Sequence, residues 1–515
     1  MTRQSFVYGA FILLVAGLFN RIIGFFYQIM MIRIIRPEGV GLFNMVYPIY
    51  VLVLVLAGAG IPVAIAKLVA EEVARNNLRG AYRIFTIAFW CIIMTSLFFT
   101  GLLIFALPWL KQHVFPHPGV FNCFLSLVPA VLIVSLCSAF RGFFQGLQQM
   151  TPTAVTQVAE QIIRVVAGLL IAVTLLPRGV EYAAMGISLG VVCGELIGFV
   201  LMLLIYVQKK PSPAGTGLFF PEPMAVTVGR IFQLAVPITL TRFVSTALLS
   251  VDAVLIPRRL QAAGLGLLEA TATYGQLVGI AETLLFTPGI VTISLATALV
   301  PAISDALAQN DLALVRGRTE EAFRLTMLAG LPVAAVFWFM PRELCALIFG
   351  YGEAGVALSI LALGGPFLYL QQTATGILQG LGRADRPLRN LVIASVFKVI
   401  GIYYLTVIPT LSIRGTSAAI ALGYLLMAVL NYLDLKKIIQ LKPDWNYCLG
   451  KPLLATAAML AVMWLTREYM FKFDSLLNLG AALIMGGTTY LCVLLVIGGI
   501  HSYDLSRLRS FFRLR

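Results

Sequence analysis

The sequence predicts an all-α integral membrane protein of about fourteen transmembrane helices, with two parallel, pseudo-symmetric six-helix lobes and a C-terminal helix pair. Three observations carry this expectation: a composition unable to build a water-soluble surface, recurring apolar runs of membrane-spanning length, and an internal repeat in one orientation.

Of 515 residues, 60% are hydrophobic and 11% charged, whereas a soluble domain carries roughly 45–50% apolar and about 25% charged residues. The net charge of +15 is scattered through short loops rather than gathered on one module. Such loops report membrane orientation, so no nucleic-acid partner is expected. Seven cysteines fall mostly within apolar runs without a CxxC pair, and His113, His117 and His501 sit in a loop and the tail. That distribution leaves no zinc, haem or other cofactor site. The apolar run from Phe6 is too long for the core of a cleavable signal and reads as the first membrane helix.

A helix needs about 20 apolar residues to cross roughly 30 Å of hydrocarbon. By that measure spans are expected near 6–33, 40–66, 83–108, 121–146, 153–176, 183–207, 229–256, 268–303, 321–341, 355–381, 387–408, 416–435, 450–468 and 475–499. The Pro/Gly-rich stretch from Lys209 to Pro223 interrupts them. The expected organisation is an N-terminal lobe at 1–208, a cytoplasmic linker at 209–228, a second lobe at 229–442, a terminal helix pair at 443–500 and a basic tail at 501–515. Of the 37 lysines and arginines, 23 fall on one side and 10 on the other. That asymmetry places both termini in the cytoplasm and requires an even number of passes.

The repeat is visible in two places. Arg141–Leu147 (RGFFQGL) matches Thr375–Leu381 (TGILQGL), each ending a span shortly before a proline, and Ile61–Ala66 (IPVAIA) resembles Val300–Asp305 (VPAISD). Matching motifs at the same membrane side make the lobes parallel repeats around a central cavity that can rock.

Four cations lie inside apolar spans: Arg21, Arg164, Arg242 and Lys398. Overlaying the halves pairs Asn20-Arg21 with Thr241-Arg242, and Arg164 with Lys398. An intramembrane charge costs several kcal/mol and faces a bundle interior or a watery cavity. Arg164 has Glu160 one turn earlier and forms an expected structural ion pair. Arg21, Arg242 and Lys398 lack a local acid and are candidates for a cavity that takes an anion, with Asn20 and Thr241 beside them. Among the embedded acids Glu160, Glu195, Asp252 and Glu282, the last two are candidates for a coupling ion (H+ or Na+) or for counter-ions to the cations. Gly60 and Pro62, Pro288 and Gly289, and Pro366 break helical runs and are hinge candidates.

Residues 5–35 (SFVYGAFILLVAGLFNRIIGFFYQIMMIRII), the following PEGVGLFNMVYPIY segment, TPGIVTISLATALVPAISDAL and the RGFFQGLQQMTP/LQGLGRADRP pair resemble the stage V sporulation protein B family across nearly the whole chain. That family belongs to the multidrug/oligosaccharidyl-lipid/polysaccharide exporter superfamily, with the lipid II flippase as a cousin. The resemblance implies a MATE-like fold in the bacterial cytoplasmic membrane. It also implies transfer of an undecaprenyl-pyrophosphate-linked sugar, such as lipid II, for spore cortex and peptidoglycan synthesis. Arg21 matches the family's basic residue in the first helix. Tyr27 stands where the lipid II flippase has a second arginine, and Glu282-Thr283 stands in place of an acidic-basic pair. The alternatives are a flippase for another lipid-linked polysaccharide unit and a MATE-type drug/cation antiporter. A membrane glycosyltransferase would need a larger outward loop than any found here.

Overall fold

The computed structural model describes residues 6–58, 60–209, 223–469 and 476–499; most of the expected linker (210–222) and the basic tail lie outside the described residues. Among the described residues the secondary structure is helical, without strands. In order these are α1 (Phe6–Gly58), α2 (Ile61–Ala74), α3 (Leu78–His113), α4 (Val120–Gly146), α5 (Thr151–Leu175), α6 (Val180–Lys209), α7 (Met224–Ala262) and α8 (Leu267–Gln276). A π-helical segment at Leu277–Glu282 leads into α9 (Thr283–Phe286) and α10 (Gly289–Ala308). Then follow α11 (Leu312–Phe339), α12 (Pro341–Phe349), α13 (Gly355–Gly380), α14 (Asp385–Leu405), α15 (Ile413–Ile439), α16 (Lys451–Tyr469) and α17 (Leu476–Val496).

Among the described residues, thirteen stretches are long and apolar enough to cross a membrane. The first of them, Phe11–Ala74, holds 64 residues, long enough for two passes at about 20 residues each. It divides at Arg36, whose φ of 60° and ψ of 171° leave the helical region. The cause is local: Pro37 crowds the backbone of the residue before it and disfavours the α conformation there. The span expected at 268–303 is not one helix. It bends through the π-helical segment and breaks at Pro288, which caps α10.

The chain forms two compact units, Met1–Gln261 with Leu265–Gly275, and Gln276–Arg515 with Ala262–Gly264. In the first unit Phe85, Phe140, Phe143 and Tyr206 make an aromatic cluster with ring centroids 4.7 Å (Phe85–Phe143) and 5.0 Å (Phe140–Tyr206) apart. α7 joins this unit through Ile231 and Ala235 in the core, an ion pair from Arg230 to Glu71 at 3.1 Å, and a hydrogen bond from Ser250 to the Pro48 carbonyl at 3.0 Å. In the second unit Ile303, Phe323, Ile377 and Leu435 anchor the packing of α10, α11, α13 and α15. Lipid tails are as apolar as leucine, so these contacts stabilise by close packing rather than by release from water.

The repeat is written in the contacts of each unit. A Cβ added at Gly142 would come within 2.5 Å of the Pro62 carbonyl oxygen, and one at Gly376 within 2.6 Å of the Ala296 oxygen. One turn on, Gly146 meets Val69 and Ala66 as Gly380 meets Ile303 and Val300. Left-handed Asn76 and Asn310 (φ 56° and 55°) precede helix caps in which Asn77 accepts from Gly80 N–H and Asp311 from Leu314 N–H. Every one of these pairs is 234 residues apart. The common register aligns Pro62 with Ala296, which corrects the expected match of Pro62 to Pro301.

These glycines let two backbones touch, so Gly142→Ala and Gly376→Ala should each destabilise by about 1–3 kcal/mol through overpacking. Gly101→Ala, where a Cβ meets nothing within 4 Å, should leave the melting temperature unchanged. Thermal unfolding of the purified variants checks the contrast.

Candidate functional site

The densest polar site described in the first unit is built where α5 and α6 cross. Glycine recurs at every fourth residue of α6, and Gly190 lies against Gly168 and the Arg164 carbonyl while Gly194 lies against the Glu160 carbonyl. This approach brings Glu195, next in sequence after Gly194, to α5. Arg164 Nη2 donates to Glu160 Oε1 at 2.7 Å and to Glu195 Oε1 at 2.6 Å. Arg141 of α4 donates from Nη2 to Glu160 Oε2 at 2.6 Å. Two guanidiniums and two carboxylates thus form a charge-balanced chain that ties three helices together. Glu160 and Glu195 are buried, and both arginine Nε atoms are buried without a partner. In so dry a setting each pair is strong only while the chain is complete.

The cations expected to meet an anion are placed differently. Arg21 and Arg242 are exposed, within apolar spans of the first unit, and neither has a carboxylate partner among the described residues. Asn20 is half-buried with an unpartnered Oδ1, and a Cβ at Gly24 on the same helix would lie 3.8 Å from the Gln161 amide nitrogen. Thr241 is exposed and donates to the Pro237 carbonyl at 2.9 Å. Tyr27 is buried, its hydroxyl fitted over Gly168. Lys398 is half-buried in the second unit and packs its stem on Gly423, as Arg164 packs on Gly194. Asp252 is half-buried, and half-buried Glu282 closes the π-helical segment.

Of the hinge candidates, Gly60 and Pro62 mark the junction of α1 with α2, and Gly60 has no room for a side chain against the Ala235 carbonyl. Pro288 and Gly289 begin α10, whereas Pro366 lies inside a continuous α13.

Two cations counted among loop charges are inside the structure. Arg141 belongs to the buried chain described above. Arg324 is buried, donates to the Tyr447 hydroxyl at 2.8 Å and stacks over that ring at 5.0 Å. Position near a helix end hid both; the four-residue glycine spacing of α6 was the signal that could have brought Glu195 to Arg164. Outside the spans, His117 is buried beneath its loop and accepts the Gly119 N–H at 2.9 Å. Burial pushes its pKa down, against the pull of Glu181.

Helical passes in two parallel repeats, with embedded cations and no strand among the described residues, define a multi-pass membrane protein of the MATE-like class. The comparisons make the assignment specific. The chain belongs to the family described as polysaccharide biosynthesis protein, which matches residues 6–307, and the MatE family matches 277–404. It is 31% identical to stage V sporulation protein B of Bacillus subtilis over 100% of this chain and 99% of the relative. Lipid II flippase MurJ of the same organism is 24% identical over 83% of this chain and 82% of its own. Among solved structures, lipid II flippase MurJ in an inward closed conformation superposes with a TM-score of 0.70 at 14% identity, covering 94% of this chain and 98% of that one. An inward-facing multidrug resistance MATE family transporter gives a TM-score of 0.67 at 15% identity, covering 82% and 94%.

Proposed function

We propose that this protein is a flippase that moves an undecaprenyl-pyrophosphate-linked sugar precursor, lipid II in the first instance, across the bacterial cytoplasmic membrane by alternating access. The observation that carries this reading is the contrast between two kinds of arginine in one unit. Arg141 and Arg164 are neutralised by carboxylates, while Arg21 and Arg242 stand exposed within apolar spans without one. A pyrophosphate supplies the missing negative charge through charge-assisted, bidentate hydrogen bonds. The polyprenyl tail stays in lipid, so only the headgroup needs a polar path, and no covalent chemistry is required. Relatedness to a protein named lipid II flippase supports this substrate class, and relatedness to stage V sporulation protein B supports a role in sporulation, where we place it in spore cortex synthesis.

A drug/cation antiporter on this fold would need carboxylates open to an organic cation. Glu160 and Glu195 are both occupied by arginine. Asp252 and Glu282 remain the candidates for H+ or Na+ coupling. Proteoliposomes carrying fluorescent lipid II or an undecaprenyl-linked O-antigen unit test the substrate directly; transport of an organic cation without either lipid would overturn the proposal.

The orientation that goes with this reading puts both termini in the cytoplasm. In a background without the seven native cysteines, cysteines near Arg79, Arg318 and Arg509 should resist an impermeant thiol reagent, and one near Gly179 should label. Equal labelling of Gly179 and Arg318 would reject it.

A further inference from the structure

Cations on the side that disfavours them need a reason. Among the ten counted on the less basic side, Arg258 has one: it donates to the His113 and Val114 carbonyls, Val114 at 2.9 Å, and caps α3. Three others, Arg342, Arg414 and Arg467, converge from α12, α15 and α16 on a single cavity of about 520 Å³ in the second unit. The cavity lies where α11 and α16 end and α13 and α15 begin. Its one carboxylate, Glu343, is held by Arg467 at 3.1 Å. Arg342 and Arg414 are exposed and have no carboxylate partner among the described residues. Three guanidiniums against one carboxylate leave an excess of two positive charges.

We infer that this cavity binds the phosphate of an anionic phospholipid at the membrane surface opposite the more basic loops. Guanidinium forks match phosphate oxygens bidentately. The rest of the wall suits an amphiphile rather than a free ion: Trp338 is half exposed, and Ile360 extends the lining along α13. An aromatic at the end of an apolar span sits at headgroup level. Snorkelling alone would spread the three arginines around the rim, whereas here separate helix ends aim them into one recess. Nothing in this inference depends on which headgroup Arg21 and Arg242 meet.

The test uses the full chain in phosphatidylcholine nanodiscs, titrated with phosphatidylglycerol and read by native mass spectrometry of retained lipid. Arg342→Gln with Arg414→Gln should weaken phosphatidylglycerol retention about tenfold. Glu343→Gln should strengthen it, because it removes the competing carboxylate while keeping the side-chain shape. A purely structural role predicts no such opposition of sign. Unchanged retention in the arginine double variant, or weaker retention in Glu343→Gln, would overturn the site. Inorganic pyrophosphate should fail to displace the lipid at matched concentration, and full displacement would overturn the lipid assignment.

Discussion

Replacing Arg21 or Arg242 by alanine is expected to abolish complementation of a flippase-deficient strain while membrane abundance stays normal. Both side chains are exposed and bear no ion pair among the described residues, so their removal strands no buried charge. The loss should appear in headgroup binding. A hydrogen bond to a charged group is worth about 1.5–3 kcal/mol, so each truncation should weaken that binding roughly ten- to a hundredfold. Lysine should restore only part of it, because an ammonium keeps the charge but not the fork. If the two cations share one pyrophosphate, crosslinking between cysteines at the two positions should rise on adding substrate, since two arginines repel until an anion lies between them. Full transport by the double alanine variant would refute the site and move attention to Lys398 and Glu282.

The second large effect should come from Glu160, through folding instead of transport. Glu160 accepts from both Arg141 and Arg164, so Glu160→Ala leaves the largely buried Arg141 guanidinium without a carboxylate and Arg164 with Glu195 alone. Breaking one buried pair costs about 3–5 kcal/mol, enough to exhaust much of the stability of an ordinary domain, about 5–15 kcal/mol. Membrane abundance should fall sharply, and the purified protein should melt early. Arg164→Ala should be comparably severe, since Glu160 keeps Arg141 but buried Glu195 loses its partner. Replacing Glu160 and Arg164 together by leucine should not recover stability, because Arg141 and Glu195 then stand alone. Only an apolar replacement of all four should do so, approaching wild-type thermal stability. Normal stability of Glu160→Ala with transport lost would instead place the chain of charges in the substrate path.

Much of this could be read along the chain. Span length and apolar content are local properties, so the passes and the embedded cations needed no tertiary information. The pairing of Glu160 with Arg164 was legible for the same reason, since one helical turn separates them. The repeat was legible too, and the RGFFQGL/TGILQGL pair carried its 234-residue register; the IPVAIA/VPAISD pair suggested a different one, which the backbone contacts of Gly142, Gly146, Gly376 and Gly380 overturn. The break at Arg36 was written in Pro37 and falls inside the loop expected between the first two spans, at 34–39; the dihedral angles narrow it to one residue. Tertiary structure alone decided that Arg141 and Glu195 complete the buried chain, that Tyr27 faces Gly168, and that three arginines remote in sequence share one recess. The physical reason is common to all of these. A helix's apolar content says that it crosses the membrane, but its rotation and the depth of each crossing are set by where small residues let backbones meet, and those two quantities determine which charges can touch.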